Sequence, residues 1–147
     1  MASRSMLVLD ANILVRAVLG NKILSILLEY SPNAEFRAPE SAFEEAAEHL
    51  PGILERRGIR PTGVLASLDG IASLVQPVGV EVYSRFESVA RARMARRDED
   101  DWPILATALA LQCPIWTEDG DFFGCGVATW TTDRIELYLT ESVSALN

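Results

Sequence analysis

Met6-Leu7-Val8-Leu9 is an unbroken apolar run of strand length that stops abruptly at Asp10. A strand wetted on one side alternates apolar with polar residues, so an uninterrupted run belongs to a strand covered on both faces, inside a sheet with helices above and below. An acid closing such a strand is hard to place for solubility alone, which makes Asp10 the first candidate for a functional role. The segments that follow supply the covering layers. Ile13 to Leu19 and Ile23 to Tyr30 have helical spacing, with Asn12 placed to cap the first and Gly20-Asn21 dividing the two. A short strand near Phe36 to Ala38 leads into a helix with Phe43, Ala46, Ala47 and Leu50 on one face, and Pro51-Gly52 is expected to kink or end it. Another helix is expected from Thr62 to Leu74, then a weak strand at Val78-Gly79-Val80 and a helix from Glu81 to Arg97. Asp98-Glu99-Asp100-Asp101 forms a turn, with Asp101 capping a helix that has proline in its first turn and is apolar all round from Ile104 to Leu111, hence central. Strands at Ile115 to Thr117 and Val127 to Trp130 and a closing helix from Asp133 to Leu139 complete the chain. Short strands alternating with helices predict an α/β fold, a three-layer sandwich around a short, mostly parallel sheet.

With 147 residues and no linker, repeat or low-complexity tract, residues 1 to 147 read as one domain able to bury a core without staples. Cys113 and Cys125 stand twelve apart with a single histidine in the whole chain, which excludes a zinc site and a disulfide framework. No apolar run reaches membrane-spanning length and the start MASRSMLVLD is too short for a secretory signal, so a cytoplasmic protein with no membrane role is expected. The net charge of −8 has the wrong sign for holding nucleic acid by bulk electrostatics. Any contact with nucleic acid must be local. Arg91, Arg93, Arg96 and Arg97 fall within seven residues and are possible RNA-binding residues; Arg56, Arg57 and Arg60 form a second cluster, and both also suit a solvated helix face. His49, on a charged helix, reads as a surface residue.

In right-handed strand-helix-strand units the C-termini of strands and the N-termini of helices share one edge of the sheet. Asp10 ends the first strand, Glu44 lies early in its helix, Asp101 starts the buried helix and Asp119 follows the strand around Trp116, so all four map to that edge. Singly, each has a plain alternative: Asp101 as a helix cap, Glu44 beside Glu45 and Glu48 as a solvated face, Asp119 and Asp121 as turn residues around Gly120. Together they repel and raise one another's pKa unless a cation neutralises them. Oxygen-only ligands select hard ions, Mg²⁺ or Mn²⁺, which lower the pKa of bound water and steady both oxygens of an in-line displacement at phosphorus. That is phosphodiester hydrolysis without a protein nucleophile. Asp100 and Asp121 are secondary candidates for orienting a ligand or holding a second ion.

At these residues the chain resembles the PIN domain, the nuclease fold of VapC-type toxins in bacterial and archaeal toxin-antitoxin systems. Four blocks carry the likeness: MLVLDANILVRAVLG, RAPESAFEEAAEH, RDEDDWPILATALALQCPIWTEDGDF and GVATWTTDRIELYL. They span nearly the whole chain, residues 52 to 90 contributing little. Position by position, the resemblance puts the family's four acids on Asp10, Glu44, Asp101 and Asp119, as catalytic and metal-binding residues, and a small polar residue that helps to hold the attacking water on Asn12. Two registers stay open: Glu45 in place of Glu44, though the spacing from Pro39 favours Glu44, and Asp100 in place of Asp101, though the ILATALA helix favours Asp101. The resemblance implies metal-dependent cleavage of RNA, a homodimer, and a small antitoxin protein that covers the acidic pocket.

Other readings of a strand-ending aspartate are weaker. A haloacid-dehalogenase phosphatase needs a second Asp where Asn12 stands, and a response-regulator receiver needs a late lysine where Lys22 is the only one. The alternative from another class is a catalytically silent PIN-like module that binds RNA or a partner.

Overall fold

The apolar run becomes the central strand. In a computed structural model that describes residues 4–146, with side chains through residue 141, Ser5–Leu9 forms β1, and Leu7, Val8 and Leu9 are wholly buried. The elements after it are α1 (Ala11–Leu19), α2 (Lys22–Tyr30), β2 (Ala34–Pro39), α3 (Glu40–Arg56), α4 (Val64–Ile71), β3 (Val75–Val78), α5 (Val80–Tyr83), α6 (Glu87–Met94), α7 (Trp102–Leu111), β4 (Ile115–Trp116), β5 (Thr129–Trp130) and α8 (Ile135–Leu146). The five strands pair in parallel in the order β3-β2-β1-β4-β5. The order runs outward from β1 to β2 and β3, then returns to add β4 and β5 on its other side. The sheet therefore has a switch point between β1 and β4, where a crevice opens at the strand C-termini.

Helices cover this sheet as the apolar strands require. The all-apolar α7 lies against β1 and β2, with Leu105 and Ala106 fully buried, and carries α5 and α6 on its outer side. Elsewhere α1 packs against α3 and α4. Trp116, Phe36 and Phe122 are the largest fully buried side chains, and Phe36 and Trp116 meet across the sheet at 6.2 Å between ring centroids. Cys113 and Cys125 are buried free thiols. Among the described residues no single helix is long and apolar enough to cross a membrane; α1 and α2 reach the length only together, and they meet at 103°.

Four local expectations are corrected. The strand at residues 78–80 lies earlier, at Val75–Val78, because it is the sheet's edge, where Gln76 and Pro77 are tolerated and mask the strand pattern; Val80 already begins α5. The helix expected over residues 81–97 is broken by a 3-10 turn at Ser84–Phe86, which brings Tyr83 against Trp102 at 5.6 Å while Ala90 and Met94 stay buried. Of the kink or end expected at Pro51-Gly52, the end does not occur: α3 runs on to Arg56 with Leu50 and Leu54 buried on either side of Pro51. Asn12 does not cap α1: Asp10 does, accepting from the Ile13 N–H at 3.0 Å.

Candidate functional site

A cavity of about 230 Å³ opens at the switch point, lined by Asp10, Asn12, Glu45, His49, Arg56, Asp101 and Asp119 among others. Each acid arrives on a different segment. Asp10 leaves β1 and caps α1, so one carboxylate oxygen is held by the Ile13 N–H and the other accepts from the Thr117 hydroxyl. Thr117 follows β4, and the same hydroxyl oxygen accepts from the Asp119 N–H at 2.9 Å. One threonine thus ties the first acid to the backbone of the fourth across the two strands that form the switch point. Asp119 spends Oδ1 on the Asp121 N–H, 2.9 Å away, in the turn at Gly120–Phe122. Asp101 ends the turn Glu99–Asp101 and stands at the head of α7, but its side chain makes no cap bond; Asp98 holds that turn instead, through the Asp100 N–H at 3.1 Å.

Of the two neighbouring glutamates the structure brings Glu45, not Glu44, to the cavity. With Ala42, Ala46, Leu50 and Leu54 turned to the core, the stripe Glu45, His49, Ile53 and Arg56 flanks the cavity, and a neighbour one place along a helix points about 100° away. Glu44 is therefore exposed and outside the lining. The spacing from Pro39 misleads because Pro39 is the N-cap residue and the helix starts at Glu40. Of Asp100 and Asp101 only Asp101 lines this cavity; Asp100 is exposed and lines a neighbouring pocket with Ser41, Glu45, Asp98 and Asp101. Asp121 is exposed, and its backbone rather than its carboxylate serves Asp119. Asn12 is exposed at the cavity.

Two residues that the sequence reading left on the surface also line the cavity. His49 is exposed and stands 3.8 Å from Glu45, and Arg56 lies about two turns further along the same stripe. The signal was available, since Glu45, His49 and Arg56 repeat at intervals of four and seven, but it needs the right glutamate as its origin.

Burial is the main force on Asp10, pushing its pKa up to about 6 against the two hydrogen bonds that lower it, with the charges of Asp119 and Glu45 adding to the rise. Asp101, half-buried, is pushed up to about 7, first by burial, then by Asp98, Asp119, Glu45 and Asp10. The four acids therefore act on one another. No three of them stand ready as a closed ligand set among the described residues. Their all-oxygen donor chemistry nonetheless fits a hard divalent ion, which would relieve the repulsion.

The arginine group is engaged within the fold. Arg91 bonds Glu87 at 2.8 Å and Glu99 at 3.3 Å and lies 5.0 Å over the Trp102 ring. Arg93 and Arg97 donate to backbone carbonyls of residues 121 to 125. Only Arg96 is exposed without such a partner among the described residues.

A family model described as PIN domain matches residues 8–140. No curated protein matches the sequence. Among solved structures, the fold is similar to that of VapBC2 from Rickettsia felis bound to a DNA fragment from their promoter, with a TM-score of 0.66 and 15% identity over 86% of this chain and 98% of that one. At that identity the likeness shows the fold.

Proposed function

The chain belongs to the PIN domain family, and from that membership together with its acidic cavity we propose that it is a Mg²⁺- or Mn²⁺-dependent endoribonuclease, the toxin of a toxin-antitoxin pair. One observation carries the reading: Asp10, Glu45, Asp101 and Asp119, from four separate segments, share one cavity at the switch point of a parallel sheet. These four would hold the ion. When bound, it supplies charge neutralisation at the phosphate and a water of lowered pKa.

The chain's own residues do the rest. Thr117 holds Asp10 in place, Asn12 stands where it can orient the attacking water, and Phe122 and Ile104 wall the cavity with apolar surface. Arg56 is the cationic side chain in the lining, with His49 beside it as a hydrogen-bonding group, and both would face the phosphate of an entering strand. This local arrangement eases the problem of net charge, since a cation among the carboxylates would offset much of the charge that repels RNA. The likeness to VapBC2 supports an antitoxin partner, a basic side chain of which would find matching charge in the acidic pocket, and a homodimer working in the cytoplasm completes the proposal.

Purified protein incubated with a mixed RNA pool is expected to cleave it with Mg²⁺ or Mn²⁺ and to stop in EDTA. Undiminished cleavage in EDTA rules out the metal mechanism, and binding without cleavage favours a silent RNA-binding module.

A further inference from the structure

The loop after Asp119 is held from outside by two arginines that the cavity does not use. Arg97 Nη1 donates to the carbonyl of Asp121 at 2.8 Å and to that of Phe123, and Arg93 Nη1 donates to that of Cys125 at 3.3 Å. Alternate carbonyls, 121, 123 and 125, thus turn towards two guanidinium groups. The intervening glycines make the fit possible. Gly124 and Gly126 have φ of +83° and +95°, and a Cβ there would stand 3.0 Å from Arg97 and 2.7 Å from Arg93 respectively. The positive φ strains any side chain there, and a Cβ would also push the guanidinium groups aside.

The connection runs between two of the acids. Arg97 immediately precedes Asp98, whose carboxylate holds the turn that delivers Asp101, and its guanidinium grips the loop that begins at Asp119. On the opposite side that loop is anchored by Thr117, which also holds Asp10. We infer that Arg93 and Arg97 are positioning residues of the acidic pocket, which fix the distance between Asp101 and Asp119 by clamping the loop 121–126 to the segment before Asp101. The functional meaning of that distance rests on the metal-dependent reading above. Two guanidinium groups spent on three carbonyls are poorly placed to track RNA, so this assignment replaces the RNA-binding role for these two arginines.

The test compares Arg97→Gln and Arg97→Lys with Arg96→Gln, which removes the same charge from an exposed neighbour. Three quantities are read on the full chain: hydrogen exchange of amides 119–126, Mn²⁺ affinity by titration calorimetry, and RNA affinity in an Asp10→Asn background. Arg97→Gln is expected to speed exchange in the loop and weaken Mn²⁺ binding by about 10-fold, as loss of an outer partner of a metal site does. Arg97→Lys, which keeps one donor, recovers part of both. Arg96→Gln changes neither exchange nor Mn²⁺ affinity. Wild-type exchange and Mn²⁺ affinity in Arg97→Gln, with RNA affinity lowered instead, would overturn the inference and return Arg97 to the substrate. If the parent protein binds no Mn²⁺, the metal reading fails, and the exchange comparison still decides whether the clamp exists.

Discussion

Asp10 occupies a place that favours its protonated form. Unfolded, such a carboxyl ionises near 3.8, whereas in the folded chain burial raises that to about 6. Between those values the folded chain keeps a proton that the unfolded chain has released, so the stability linked to protonated Asp10 is present at low pH and is lost as pH rises through about 6. Asp10→Asn cannot ionise. In metal-free buffer it should melt above the wild type by a few degrees near pH 8, with the gap closing towards about pH 4; melting curves that show the gap widening on acidification contradict this. A pocket that costs stability unless a cation fills it is the mark of a site kept for function. The second residue-scale prediction concerns the glutamates. Glu45→Gln should lower RNA cleavage by at least about 100-fold and Glu44→Gln by less than about 3-fold, since loss of even an outer partner of a metal site costs about 10- to 100-fold; a larger loss of initial rate in Glu44→Gln than in Glu45→Gln would return the assignment to Glu44. Asp10 was legible in the sequence because an acid at the end of a buried strand has few other uses. The glutamate was not, because Glu44 and Glu45 are adjacent and only the packing of Ala42, Ala46 and Leu50 decides which faces the cavity.

Among the elements, α3 carries a stripe that changes character along its length, from Glu45 through His49 to Arg56. Such a stripe can meet an ion at one end and a phosphate at the other. Arg56→Ala should therefore weaken RNA binding in an Asp10→Asn background and flatten the slope of log Kd against log salt by about one; an unchanged slope assigns Arg56 to the solvated face. Strands and helices whose apolar pattern matched their burial, such as β1 and α7, could be read directly. The elements misplaced were those decided by tertiary contact. An edge position makes Gln76-Pro77 acceptable in β3, stacking of Tyr83 on Trp102 accompanies the break before α6, and a core on both sides carries α3 through Pro51. The arginine group shows the same limit. Its spacing suggested a basic face, while only the fold shows Arg91, Arg93 and Arg97 engaged.

For the molecule as a whole, topology decides where chemistry can occur. The sheet order β3-β2-β1-β4-β5 leaves one crevice between β1 and β4, and the acids reach it from loops at the same edge. The net charge of −8 opposes RNA, and on the proposed reading a bound cation and Arg56 offset it locally, so ion binding and substrate binding should be coupled. The most direct measurement is a crystal of the full chain soaked in Mn²⁺ and recorded at a wavelength where manganese scatters anomalously. A peak enclosed by Asp10, Asp101, Asp119 and Glu45, with Glu44 remote from it, is the result predicted. A peak elsewhere, or none in the acidic cavity at saturating Mn²⁺, would contradict the account.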